Sequence, residues 1–261
     1  MARPEADGSI LIVREMNRFF GGLHAVNSVS FEVKKGIIKA IIGPNGAGKT
    51  TLFNLLSGSL KPSSGEALFL GDRITGLKSH EIARKGLSRT FQDIRLCAKM
   101  TVLENVMLGR HTRSRAGFAA GLFALPWTWR EEAEIRHSSL EILEFMAVSD
   151  LAHEEVGNLP FGKQRLVEFA RALAAEPALL LLDEPASGLN LHETSELAGL
   201  IVKIKDGGTT VLLVEHDMSL VMDISEEIVV LSYGRKIAEG APQAIQSDRQ
   251  VINIYLGEDD A

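Results

Sequence analysis

The run Gly43-Pro44-Asn45-Gly46-Ala47-Gly48-Lys49-Thr50 demands a strand before it and a helix after it. Its glycines let successive backbone N–H groups turn toward one anion, the following helix presents its positive end, the Lys neutralises β/γ phosphate charge, and the hydroxyl ligates magnesium. A chance match to G-x-x-x-x-G-K-[ST] in a chain of this length has odds of roughly one in a hundred. The flanks agree with the motif. Ile37 to Ile42 is an apolar run opened by Gly36, and Leu52, Leu55 and Leu56 mark one face of a helix. Strand, glycine loop, helix is the order a phosphate-binding loop requires.

Around this unit the periodicity changes twice. Ile10 to Val13, then Val26, Val29, Phe31 and Val33, repeat near every second residue and predict strands. From about Asp93 to Asn158 the strand signals stop, and Ile135, Leu140, Leu143 and Met146 predict a helix within a helical insertion. A helix then follows over Leu166 to Ala175. Leu179 to Leu182 and Val211 to Val214 are short apolar runs that end in Asp183-Glu184 and Glu215-His216. Two such runs predict parallel strands whose carboxyl ends share one site. At the first of these ends, Asp183 is placed to hold Mg²⁺, and Glu184, one residue on, to orient and deprotonate a water attacking a γ-phosphate.

Composition narrows the partners. Lys+Arg 28 against Asp+Glu 34 gives a net charge of −6, which argues against a nucleic-acid partner. Cys97 is the one cysteine, so neither an internal disulfide framework nor a cysteine-rich zinc site is expected. The opening Met1 to Ile10 has no apolar block and predicts no secretory signal. No stretch approaches the roughly 18 to 20 apolar residues of a membrane span, so a soluble chain is expected. Lys39 interrupts an apolar strand, and the reading for it is a side chain snorkelling toward an open face. Gly117 to Trp129 fits a packed segment of the insertion better than a contact with a membrane partner.

Taken in order, Gly43 to Thr50, Gln92 in Ser88-Arg89-Thr90-Phe91-Gln92, Leu159 to Arg165, Leu182-Asp183-Glu184-Pro185, Ser187-Gly188-Leu189-Asn190 and His216 resemble the blocks of an ATP-binding cassette (ABC) ATPase. Phe20-Gly21-Gly22-Leu23-His24-Ala25-Val26, Arg89-Thr90-Phe91-Gln92, Glu215-His216-Asp217-Met218 and the tail Ile254-Tyr255-Leu256-Gly257-Glu258 are similar to the branched-chain amino acid uptake group. The resemblance implies an α/β fold: a P-loop NTPase (RecA-like) core with an N-terminal antiparallel β subdomain and a helical insertion. The implied divisions are 1–92 for the β subdomain and first part of the core, 93–164 for the helical signature subdomain, 165–240 for the rest of the core, and 241–261 for a tail.

The same resemblance assigns roles. ATP and Mg²⁺ are the implied cofactors. Phe20 would stack on adenine, with Phe19 as its rival. Gly43, Pro44, Asn45, Gly46, Ala47, Gly48, Lys49, Thr50 and Thr51 would cradle the phosphates. Thr50, Gln92 and Asp183 would meet the metal. Glu184 would be the base, Lys49 a catalytic cation, Gln92 the contact to the attacking water, and His216 the contact to γ-phosphate. Phe161, Gly162 and Lys163 would meet the nucleotide of a neighbouring subunit. Two departures stand out: the usual Leu-Ser-Gly-Gly-Gln signature reads Leu159-Pro160-Phe161-Gly162-Lys163, and the dimer loop ends in Asn190 where Asp is commoner.

The implied function is the ATPase subunit of an importer for branched-chain amino acids or similar small amides, peripheral on the cytoplasmic face of the inner membrane. Its partners would be a second ATPase subunit, identical or paralogous, two integral-membrane permease subunits and, indirectly, a substrate-binding protein. A lipopolysaccharide-export ATPase and a non-transport ABC regulator are the rival readings.

Overall fold

A computed structural model describes residues 8–110 and 126–256. The N-terminal half begins with a long hairpin, β1 (Ser9–Phe20) and β2 (Leu23–Lys34), followed by β3 (Ile38–Ile42) and α1 (Lys49–Leu56). Next come β4 (Ser64–Phe69), β5 (Asp72–Arg73), α2 (Ser79–Arg84) and β6 (Leu87–Arg89). Three helices follow, α3 (Val102–Arg110), α4 (Pro126–Phe145) and α5 (Phe161–Leu173). The C-terminal part is β7 (Leu179–Asp183), α6 (Leu191–Asp206), β8 (Thr210–Val214), α7 (Met218–Ile224), β9 (Glu227–Ser232), β10 (Arg235–Gly240), α8 (Pro242–Gln246) and α9 (Arg249–Leu256). Of Gly117 to Trp129, residues 117–125 lie outside the described residues, and the rest opens α4.

Two sheets organise these elements. One is four-stranded and antiparallel, in the order β2-β1-β4-β5; the other is six-stranded, in the order β10-β9-β3-β8-β7-β6. Strands β9, β3, β8, β7 and β6 run parallel, and β10 closes that edge antiparallel to β9. All five residues of β3, β7 and β8 are buried, because both faces of the parallel sheet are covered. Alternate residues separate the two faces. Ile38, Ile42, Leu180, Leu182 and Leu213 pack with the helical insertion and α6, while Ile41, Leu181, Leu212 and Leu231 pack with α1 and the antiparallel sheet. Asp183 lies level with Val214, so the two acid-tipped strands do end side by side.

The hairpin strands alternate less cleanly than their sequence predicts. Register shifts break the β1–β2 pairing, and Glu15 and Ser28 sit at φ 45° and 50°. Such bulges add local twist that a period-two pattern does not encode. Gly65 fits the bend because a Cβ there would lie 2.2 Å from the Glu15 carbonyl oxygen.

Lys39 does not reach an open face. Its side chain is 1% exposed, and Nζ donates to the Glu32 carbonyl at 2.6 Å, to Glu227 Oε2 at 2.9 Å and to Glu239 Oε1 at 2.5 Å. Lys34 binds the other oxygen of Glu227, and Lys236 the other oxygen of Glu239. A five-member charge ladder thus joins the edges of the two sheets, and the apparent defect in β3 is its central rung. Burial acts against the Glu227 carboxylate, but hydrogen bonds and charge from Lys34 and Lys39 outweigh it and hold its pKa below the ordinary range. A lowered carboxyl pKa stabilises the fold above that range, and the contribution is lost as pH falls through the depressed value. Lys39→Met should lower stability by about 2 kcal/mol, less than for a fully buried pair because both carboxylates keep some solvent access. Urea titration at several pH values checks this: the variant should also lose less stability than the parent on acidification.

Candidate nucleotide-binding site

The phosphate loop leaves the carboxyl end of β3 and enters α1 at Lys49. Its shape depends on two glycines. A Cβ at Gly43 (φ 150°) would sit 2.1 Å from the Leu231 carbonyl oxygen, and one at Gly48 (φ 99°) 2.3 Å from that of Ala25. Both distances are impossible for a side chain, so the loop is pressed between the end of β9 and the β2 backbone. Gly48 is the N-cap of α1 and supplies no side-chain acceptor, which leaves the first-turn N–H groups for an anion.

A cleft of about 420 Å³ opens above this loop, lined by Phe20, Leu23, His24, Ala25, the stretch from Asn45 to Thr51, Glu184 and Tyr233. Phe20 lines it and Phe19 does not; the Phe19 ring packs instead against His24 at 4.4 Å. Within the loop, Lys49 Nζ donates to the carbonyls of Gly43 (2.6 Å) and Pro44 (3.0 Å). Burial lowers the Lys49 pKa, opposed by the nearby Glu184 and Asp183 carboxylates. An anion that replaced the two carbonyls would meet a desolvated, poorly solvated ammonium, where charge interactions are strongest.

Asp183 is buried behind the cleft. Its Oδ2 accepts from Arg89 Nη2 at 2.7 Å, and its Oδ1 has no hydrogen-bond partner. An orphaned carboxylate oxygen next to a phosphate loop fits a magnesium position. Among the described residues no cluster of three or more His, Cys, Asp or Glu forms an all-protein metal cage. Magnesium needs none, since one carboxylate, a hydroxyl such as Thr50 and substrate phosphates suffice. Arg89 itself is bound by Asn54 Oδ1 of α1 and by Ser57 Oγ at its C-cap, both at 2.8 Å. In the sequence Arg89 stands only as part of the Gln92 block, with no role of its own; the pairing of β6 with β7 brings it to Asp183.

Glu184 stands at φ 46°, a left-handed conformation disfavoured for a side-chain-bearing residue and concentrated at functional sites. Its N–H donates to the Val214 carbonyl at 2.9 Å, and its Oε2 accepts from Gln92 Nε2 at 2.8 Å. The structure therefore brings Gln92 and Glu184 into direct contact. His216, beyond the end of β8, keeps a 61% exposed side chain and does not line the cleft. Glu215, which in the sequence is only the acid that ends the second apolar run, is fully buried. It accepts from the N–H groups of Ala186 (2.8 Å) and His216 (3.1 Å), and so ties the dimer loop to the end of β8. Burial raises its pKa against those hydrogen bonds.

Phe161, Gly162 and Lys163 are not part of this cleft. Gly162 and Lys163 line a separate groove of about 270 Å³ with Leu189, Glu193 and Glu196. Pro160 is the N-cap of α5 and provides no side-chain hydrogen bond, and Phe161 and Lys163 in the first turn are exposed. The Phe161 ring lies over Gly188, where a Cβ would approach it to 3.0 Å. Asn190 caps α6 in a reciprocal box with Glu193, at 3.0 and 2.9 Å. Asn is as good a cap as Asp, which explains locally why the exchange is accepted.

Arg165 links the two regions. Its side chain is 1% exposed, and its guanidinium donates to the carbonyls of Phe91 (2.9 Å) and Gln92 (3.0 Å) and to Glu168 Oε2 (3.0 Å). The Gln92 loop and α5 are thus held by one buried cation.

Fold and site together define a P-loop nucleoside-triphosphatase cassette. The ABC transporter family profile matches residues 26–187, and the profile described as branched-chain amino acid ATP-binding cassette transporter matches residues 235–261. The chain belongs to the ABC transporter family as one of its ATP-binding, ATP-hydrolysing cassettes. It is 44% identical over 259 residues to the high-affinity branched-chain amino acid transport ATP-binding protein BraF of Pseudomonas aeruginosa, covering 99% of this chain and 100% of that one. Among solved structures, the ADP conformation of an ABC transporter cassette matches with a TM-score of 0.83 and 34% identity over 95% of this chain and 99% of that one. A bacterial ABC transporter cassette solved as a dimer matches with a TM-score of 0.76 and 26% identity over 89% and 98%.

Arg165→Met should leave the Glu168 carboxylate buried without its counter-ion and the Gln92 loop without its anchor, at a loss of about 3 kcal/mol. Chemical denaturation checks this, and a loss below about 1 kcal/mol would assign the anchoring to other contacts.

Proposed function

We propose that this cassette is the ATP-hydrolysing subunit of an importer for branched-chain amino acids or similar small amides. The observation that carries the hydrolytic half is the Glu184 carboxylate, which shares the cleft with Lys49 and the loop glycines and is held by Gln92 at 2.8 Å. The uptake half rests on full-length similarity to proteins named for branched-chain amino acid transport, which favours neither lipopolysaccharide export nor a non-transport role.

In this reading Phe20 stacks on adenine, and the N–H groups from Gly43 to Thr51 hold the phosphates. Lys49 exchanges its two loop carbonyls for β- and γ-phosphate oxygens. Thr50, Asp183 through its free Oδ1, and Gln92 are the groups that would hold Mg²⁺, which supplies charge neutralisation at those oxygens. Glu184 orients a water and takes its proton as the water oxygen bonds to the γ-phosphorus and the bond to the β–γ bridging oxygen breaks. His216 steadies the departing γ-phosphate. Catalytic roles thus fall to Glu184, His216, Gln92 and Lys49.

Phe161, Gly162 and Lys163 in this reading serve the nucleotide of a second cassette, identical or paralogous. An α5 N-terminus without a side-chain cap offers donors and positive potential to a phosphate on a neighbouring cassette. The absent signature serine is then compensated by backbone N–H groups and by Lys163. The subdomain divisions at 92/93, 164/165 and 240/241 are part of the same proposal. Among the described residues no helix is long and apolar enough to cross a membrane. In this reading translocation is the work of two separate permease subunits fed by a binding protein. The cassette would sit peripherally on their cytoplasmic side, paired with an identical or paralogous ATPase.

Two variants test the reading. Lys49→Ala should weaken Mg-ATP binding at least about tenfold by calorimetry while leaving the fold intact, because no other loop cation replaces the ammonium. Glu184→Gln keeps the size and the Gln92 contact but cannot accept a proton. Bound ATP should persist, and the variant should run as a dimer on a sizing column with ATP and as a monomer with ADP. Cells carrying only this variant should lose leucine uptake. Turnover of ATP at the parent rate would remove Glu184 from the role of base.

A further inference from the structure

Tyr233 is a large aromatic residue where the backbone asks for a small one. It and Gly234 form the two-residue turn between β9 and β10, closed by the Ser232–Arg235 pair, with φ of 47° and 76°. Two positive φ values define the hairpin turn that favours Asn, Asp or Gly at its first position, and a bulky side chain there is strained. The ring gains no compensating burial, since the residue is 83% exposed. Neither turn chemistry nor packing accounts for it.

Its location is fixed by its neighbour. The Gly234 N–H donates to the Ala47 carbonyl at 3.0 Å, and the Gly234 carbonyl accepts from the Asn27 N–H at 2.8 Å. A Cβ at Gly234 would lie 2.8 and 2.9 Å from the carbonyl oxygens of His24 and Ala25, so the turn sits tightly against β2. The tip of this hairpin is therefore stapled to the phosphate loop, and Tyr233 lines the same cleft as Phe20, Gly48, Lys49 and Thr51.

We infer that the Tyr233 ring is a second aromatic contact for the nucleoside of the bound nucleotide, delivered by a hairpin other than the one that carries Phe20. This rests on the nucleotide assignment of the cleft. An uncharged phenol adds little to triphosphate binding beside a ring of backbone N–H groups and an ammonium, whereas an exposed π face adds contact area to a base or ribose. Strain retained at an exposed residue of a binding cleft is the expected signature of such a role.

The test compares the full-length parent with Tyr233→Asn and Tyr233→Phe, measuring affinity for ATP and for inorganic tripolyphosphate, and thermal stability without ligand. Asn suits the turn, so Tyr233→Asn should melt at a higher temperature than the parent, bind ATP about tenfold more weakly, and bind tripolyphosphate unchanged. Tyr233→Phe keeps the ring and should keep the ATP affinity. Parent-like ATP affinity in Tyr233→Asn would overturn the inference, and so would an equal loss in Tyr233→Phe. A parallel loss of tripolyphosphate affinity would also overturn it, by showing that the change acts through the Gly234–Ala47 staple on the loop. Failure of the parent itself to bind ATP would instead strike the nucleotide assignment.

Discussion

At Gly43 and Gly48 the phosphate loop runs against the carbonyls of Leu231 and Ala25 with no room for a methyl group. Leu231 belongs to the parallel sheet and Ala25 to the antiparallel one, so these two contacts set the distance between the sheets at the point where the loop emerges. The Gly234 N–H to Ala47 bond closes the third side. A loop packed this way cannot relax inward, which holds the uncapped first turn of α1 in place. Preorganised donors of this kind need no rearrangement as charge develops on them.

The second constraint is the carboxyl ends of β7 and β8. Parallel pairing places Asp183 beside Val214, and the chain then turns through a strained Glu184 whose N–H is held by that same Val214. Gln92 reaches Glu184 from the other side, and Arg165 holds the Gln92 backbone from α5. A displacement of α5 would therefore be felt at the carboxylate through two short links, one through backbone and one through a side-chain hydrogen bond. Glu215 plays the corresponding part for the dimer loop.

Much of this was legible because it depends on local pattern. The loop, the buried runs of β3, β7 and β8 and the acids that end β7 and β8 are short-range features, and the structure places them as their residue types require; α5, by contrast, starts at Phe161, five residues before the helix that the sequence predicts from Leu166. What escaped the sequence depends on pairs distant along the chain. Lys39 reads as a misplaced charge until Glu227 and Glu239 close over it. Arg89 acquires meaning only from Asp183, and Arg165 only from Phe91 and Gln92. Tyr233 carries no local signal at all, since Tyr-Gly after an apolar run is a poor version of a hairpin turn.

The ladder Lys34, Glu227, Lys39, Glu239 and Lys236 also has a thermal consequence. The penalty for withdrawing charges from water falls on heating, because ion hydration becomes less favourable, while apolar burial gains little more per unit area. A seam fastened by charges therefore strengthens relative to one fastened by hydrocarbon as temperature rises. The parallel sheet meets the antiparallel sheet partly through that ladder, whereas α3 meets α5 through apolar side chains such as Val106 and Ala170. On warming, the helical face should loosen first and the joint between the sheets last, leaving the phosphate loop among the late-melting parts of the molecule.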